Sequence, residues 1–167
     1  MLAYIDVVDA SVELKSTEEP ANAPFFKYLI DQESTRIYSI YNTCRLLRSL
    51  CTEEWRVDNL FGCNEAACKF SIVIVNFGLK PDPTKLLAEV QRRRVSLDML
   101  TAAAINPSAI AVCGPDQYQA VLAGLKAQGH LSEETRKRYA KRALRYIAHL
   151  CRTLTDAPSL AAGGCNG

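Results

Sequence analysis

Seven cysteines, two histidines and a Cys-Gly-Pro turn are the features of this 167-residue chain whose residue types could carry chemistry. The cysteines stand at 44, 51, 63, 68, 113, 151 and 165, an odd number at irregular spacing with no Cys-x-x-Cys. That pattern implies reduced thiols in a reducing compartment, mitochondrial matrix or cytoplasm, rather than a disulfide framework. Cys44, Cys51 and Cys151 fall on apolar faces, where a free thiol behaves as a small hydrophobe. Zinc held by Cys63 and Cys68 with His130 or His149 is the sharper alternative, but those spacings match no recurrent ligand pattern. No metal is therefore expected. Ser39, Ser96, His130 and His149 form no nucleophilic triad, because no Gly-x-Ser-x-Gly elbow exists and both histidines lie in the helical C-terminal quarter. Neither a Walker-type loop nor a carboxylate-rich metal pattern occurs in the sequence.

The basic residues are the other candidates. Net charge is only +2, which argues against a general nucleic-acid binder, yet the charge is uneven. Arg92-Arg93-Arg94 forms one cluster, and Arg136, Lys137, Arg138, Lys141, Arg142, Arg145 and Arg152 crowd one C-terminal segment. Composition is otherwise that of an ordinary globular domain, 49% apolar and 23% charged. No apolar run approaches the roughly 18–20 residues a membrane span needs. The first twenty residues carry five acids and no arginine, which argues against an attached signal or transit peptide.

The elements that position these residues follow from pattern. Residues 2–14 are rich in β-branched and aromatic types and predict a strand. Pro24 opens a short apolar helix, because proline suits a first helical position. Residues 35–41 alternate as a strand, and leucines at helical spacing follow from Thr43. The continuous apolar run of 70–77 predicts a strand buried on both faces, as in a parallel sheet. Two short helices follow at 84–91 and 96–103, with Thr84 and Ser96 as N-cap candidates. A further strand at 108–113 ends at Gly114-Pro115. A helix over 116–128 presents Tyr118, Val121, Leu122 and Leu125 on one face and stops at Gly129. Ser132, followed by Glu133 and Glu134, starts the last helix, which runs to about Leu154. Such alternation implies an α/β fold, Rossmann-like in three layers, with a mostly parallel sheet covered on both sides and a basic amphipathic C-terminal helix.

Ala111-Val112-Cys113-Gly114-Pro115, with a helix and Gly129 beyond, resembles the signature that closes the nucleotide-binding module of ferredoxin-NADP and cytochrome b5 reductases. Ala23-Pro24-Phe25 resembles the end of that family's Gly-Thr-Gly-x-(Ala/Thr)-Pro-(Phe/Met) motif. Arg36 to Asn42, Phe70 to Asn76 and Val95 to Leu100 resemble its second strand, third strand and short last-but-one helix. The resemblance runs from the first strand to about Leu131, and implies three segments: a nucleotide-binding-like domain over 1–131, a basic helical extension over 132–155 and a flexible tail over 156–167. If nucleotide binding is retained, it implies that Asn22, Pro24, Cys113, Gly114 and Pro115 hold NAD(P)H.

The departures from the family are equally specific. Glu19-Pro20-Ala21-Asn22 stands where the family has its glycines. Backbone N–H groups must approach a pyrophosphate there with no Cβ in the way, proline removes one donor, and Glu18 and Glu19 add negative charge. The flavin barrel that normally precedes the module is missing from this sequence, and a nicotinamide module without flavin has no acceptor for its hydride. Arg36-Ile37-Tyr38-Ser39 imitates that barrel's flavin motif, but the spacing to Cys-Gly-Pro suits the nucleotide half better. Cys113 then reads as a buried strand-end cysteine rather than a nicotinamide-side thiol.

The last helix repeats Ala140, Leu144, Ile147, Cys151 and Leu154 on one face, with Tyr139 and Tyr146 flanking. It reads first as an amphipathic helix packed on its own domain with a solvated basic face. Docking to a protein partner through Arg138, Lys141, Arg142 and Arg145 leads the functional readings, ahead of RNA phosphates or an anionic membrane surface. The expectation is a non-catalytic reductase-like accessory subunit of a larger assembly, a mitochondrial one by its pyridine-nucleotide ancestry. The alternative is an NAD(P)H-dependent oxidoreductase subunit working with a separate flavin domain. An RNA-binding protein is the third reading.

Overall fold

The computed structural model describes residues 1–7, 23–31, 36–39, 70–76 and 83–155. In chain order these residues form β1 (Leu2–Val7), α1 (Ala23–Asp31), β2 (Arg36–Ser39), β3 (Ile72–Asn76), α2 (Pro83–Arg92), α3 (Arg94–Ile105), β4 (Ile110–Val112), α4 (Tyr118–Gln128) and α5 (Glu133–Thr155). Four strands make one sheet in the order β2-β1-β3-β4, and every pairing is parallel. The helix expected from Thr43, the loop at 62–68, residues 8–14 of the first expected strand and the tail from Asp156 lie outside the described residues.

Every residue of β3 is buried, as a continuous apolar run in a parallel sheet requires. Strand alternation sends Ala3, Ile5, Ile72, Ile74, Ile110 and Val112 to one face. There they meet Phe25, Phe26 and Leu29 of α1 and Tyr118, Val121, Leu122 and Leu125 of α4, all buried. Phe25 stacks on Tyr118 with centroids 4.9 Å apart and planes at 13°. Rings buried this completely contribute the largest single apolar increments to a core of this kind. The opposite face carries Tyr4, Val73, Val75, Ala109, Ala111 and Cys113 against α3 and α5. The result is the Rossmann-like, three-layer arrangement that the alternation of elements predicts.

Local signals hold where backbone geometry alone decides. Gly129 caps α4 at φ 71°, a left-handed conformation that glycine adopts without a Cβ penalty. The Ser132 hydroxyl accepts from the Thr135 amide at 3.2 Å, so it caps α5 as its sequence context predicts. Two other expected caps are displaced. Thr84 lies inside α2, which already begins at Pro83, and Ser96 lies inside α3, because the break between the helices falls at Arg93 and the chain resumes helix at Arg94.

The buried face of α5 is also offset from its expected position. Tyr139, Ala143 and Leu150 are buried, Ala140, Tyr146, Ile147 and Leu154 are half-buried, and Leu144 and Cys151 are exposed. The helix carries more apolar positions than one sheet face covers. Ala143 shares its cluster with Ala103, Ala109 and Ala111, and these small side chains let the helix approach closely along that line. Leu144 and Cys151 are thereby turned outward.

Candidate functional site

The strand order reverses at β1, which has β2 on one side and β3 on the other. In open α/β sheets ligands bind outside the carboxyl ends of the strands at such a reversal. Two buried polar residues lie at or next to these strand ends, Asp6 before the last residue of β1 and Asn76 as the last of β3, and Cys113 follows β4.

Asp6 lies on the face covered by α3, with no exposed surface. Arg93 Nη1 donates to Asp6 Oδ1 at 2.6 Å, and Ser96 Oγ donates to Asp6 Oδ2. The Tyr4 hydroxyl lies 2.8 Å from Ser96 Oγ. A serine hydroxyl has one proton, and here the carboxylate takes it, so Tyr4 is the donor of that bond. The chain therefore runs from Tyr4 through Ser96 to Asp6, with Arg93 closing it from the other side. Each charge is paired and hydrogen-bonded, the condition under which a buried carboxylate is tolerated.

This network revises the Arg92-Arg93-Arg94 cluster. Arg92 and Arg94 are exposed, but Arg93 is 4% exposed and belongs to the interior. A helix-to-helix break turns the middle side chain inward while its neighbours stay helical and solvated.

At β4 the Cys113-Gly114-Pro115 turn stands at the carboxyl end of the strand and leads through a single 3-10 turn into α4. Gln117 ties it together: its amide donates to the Gly114 carbonyl at 3.1 Å, and its Oε1 accepts from the Cys113 amide at 3.0 Å. Gln117 is 2% exposed, and its Nε2 has no hydrogen-bond partner among the described residues. Above the turn, Arg142 of α5 makes a two-pronged pair with Asp116, Nη1 to Oδ2 at 2.6 Å and Nη2 to Oδ1 at 2.7 Å. A Cβ added to Gly114 would lie 2.7 Å from Asp116 Oδ1 and 3.0 Å from Arg142 Nη2. Gly114 has an extended backbone at φ −159°, so the ion pair rather than a conformational demand occupies the space beside it.

Electrostatics follow this geometry. Burial pushes the Cys113 thiol above its ordinary value, and the Arg142 guanidinium pulls it back less strongly. A protonated, buried thiol is a poor nucleophile. The Arg142 hydrogen bonds hold the Asp116 carboxyl below the usual range.

The other expected site residues are dispersed. Asn22 lies outside the described residues, and Pro24 is exposed in the first turn of α1. Arg138, Lys141 and Arg145 are exposed on α5, Arg138 resting 5.6 Å from the ring of Tyr139. Arg142, expected to meet a partner, is engaged within the chain by Asp116. His130 and His149 are exposed, and Cys63 and Cys68 lie outside the described residues. Among the described residues no group of histidine, cysteine and acidic side chains could hold a metal ion. No described helix is long and apolar enough to cross a membrane.

Asp6, Asp116 and Gln117 are not among the residues the sequence singles out, and Arg93 is there only as one member of a basic cluster. Asp6 had a signal, an acid inside an otherwise apolar strand. Asp116 had none, since its partner stands 26 residues away.

No family model and no curated protein matches this chain. Among solved structures it is similar to the crystal structure of ForH, with 22% identity over 94% of this chain and 97% of that one, and a TM-score of 0.68. At that identity the likeness shows the fold: this chain is a Rossmann-like α/β domain.

Proposed function

We propose that this chain is a non-catalytic, reductase-like module that serves as an accessory subunit of a larger protein assembly. The observation that carries the reading is the Asp116–Arg142 pair over the Gly114 turn. In a working nucleotide module the space beside such a turn must be free for the ligand. Here α5 reaches across and fills it with side chains of the same chain. The replacement of the phosphate-loop glycines by Glu19-Pro20-Ala21-Asn22 points in the same direction. A mitochondrial setting follows only from the ancestry that the resemblance implies.

A second reading, an NAD(P)H-dependent subunit partnered by a separate flavin domain, is favoured by one feature. The Cys-Gly-Pro turn keeps its place at the carboxyl end of β4, beside the Gln117 Nε2 that has no hydrogen-bond partner among the described residues. Calorimetric titration with NADH and NADPH, with the melting temperature followed in parallel, separates the two. The accessory reading expects no heat and no thermal shift at millimolar nucleotide. Micromolar binding with thermal protection would overturn it in favour of the second reading.

A further inference from the structure

Among the described residues nothing covers an apolar stripe of helix α5. Ala140, Leu144, Ala148 and Cys151 follow one another at helical spacing, and Leu144 is 43% exposed, with Ala148 and Cys151 also exposed. The stripe begins at a pocket of about 200 Å³ between α5 and the end of α3, lined by Ala104, Ile105, Pro107, Ala109, Arg136 and Ala140 among others. Ile105 at its mouth is 72% exposed, the most exposed large apolar side chain among the described residues. Arg136 holds the pocket wall by donating to the carbonyls of Pro107 at 3.0 Å and Leu131 at 2.6 Å. Pocket and stripe thus share Ala140 and form one continuous apolar track.

The flank of that track is basic. Lys137, Lys141, Arg145 and Arg152 border the stripe at helical spacing, and all four are exposed. From Thr135 to Thr155 the helix has no acidic residue. We propose that this track is the docking surface for an acidic amphipathic helix of a protein partner, with one apolar side chain seated in the pocket by Ile105 and carboxylates facing Lys141 and Arg145. The inference rests on the accessory-subunit reading and names the surface through which that role is exercised. Charge selects the occupant. A second copy of this chain, laid symmetrically on the track, would set Lys137, Lys141 and Arg145 against their own counterparts, a repulsion that disfavours self-association. A nucleic acid or an anionic bilayer would satisfy the lysines and arginines, but only the apolar helix also covers Ile105 and Leu144 and fills the pocket.

The test uses the full chain and a synthetic helical peptide with leucines on one face and glutamates on its flanks, read by fluorescence anisotropy. A scrambled peptide of the same composition, a single-stranded RNA and phosphatidylserine vesicles serve as competitors. The expected result is micromolar binding of the amphipathic peptide and about tenfold weaker binding of the scramble. Ile105→Asp with Leu144→Asp abolishes the binding while the far-ultraviolet circular dichroism stays unchanged, since both side chains are exposed. Lys141→Glu with Arg145→Glu abolishes it too, and a peptide with lysine flanks restores it. Equal binding of scramble and amphipathic peptide would overturn the proposal, as would absence of binding or displacement by RNA that weakens steeply with salt. Failure here with no nucleotide binding would remove only the surface, whereas micromolar NADH binding would remove the accessory reading itself.

Discussion

Two arginine–aspartate pairs brace the carboxyl edge of the sheet, each with a closest approach of 2.6 Å, and they stand in opposite environments. Asp6 and Arg93 are 0% and 4% exposed, whereas Asp116 and Arg142 are 59% and 45% exposed. The first pair has given up its hydration, and pairing and hydrogen bonding compensate both charges. The second pair keeps most of its water and is screened by salt. Identical contact chemistry therefore has two roles. Asp6–Arg93 ties the start of α3 to β1, and Asp116–Arg142 ties α5 to the turn beside Gly114.

The largest expected effect comes from breaking the buried pair on one side. Arg93→Ala removes the cationic partner of the buried Asp6, and should cost about 3–5 kcal/mol in urea unfolding at neutral pH. Replacing both partners, Asp6→Leu with Arg93→Met, should recover most of that loss, because two apolar groups need no partner. A double variant no more stable than Arg93→Ala would show that this pair contributes net stability rather than position. Next, Ser96→Ala removes a donor to the carboxylate and the acceptor of Tyr4, an expected loss of about 1.5–3 kcal/mol by the same measurement.

The exposed pair should give far less. Asp116→Asn is expected to lower stability by under about 1 kcal/mol at pH 7, discounted for its solvent exposure. The sign with pH follows from linkage. The folded-state pKa of Asp116 lies below its unfolded value, so its contribution is complete above the ordinary carboxylate pKa and disappears as pH falls through the folded value. Urea midpoints of the parent and Asp116→Asn should therefore differ at pH 7 and converge as the pH falls below the ordinary carboxylate range.

The smallest change is kinetic. Cys113 should react slowly with iodoacetamide at neutral pH, since it is 6% exposed and its thiol is held above its ordinary value by burial. Arg142→Ala removes a cover and a neighbouring positive charge together. Its alkylation should reach a higher plateau, with the midpoint of the pH profile moved up. A downward shift would mean that the loss of burial outweighs the loss of the guanidinium.

Much of the fold was legible in the sequence because the signals concerned are local. The apolar run of β3, the buried face of α4 and the Ser132 cap depend on neighbours a few residues away. The candidate site was only half legible. The Cys113-Gly114-Pro115 turn could be placed at a strand end from its own residues, but its cover could not, because Asp116 and Arg142 meet only when α5 folds back across the sheet edge. The arginine triplet shows the same division, since composition makes its members equivalent and only the break at Arg93 makes one of them interior.

Among the described residues, periodicity and backbone constraint, acting over a turn or a strand, determined which segments are helix and strand, that the sheet is parallel, and that Gly129 ends α4. Tertiary structure alone decided which charges lie in the interior, which flank of α5 faces water, and that the Gly114 turn is covered from within. Burial and long-range pairing depend on the packing of distant elements, and the cost of desolvating a charge becomes defined only when those elements meet.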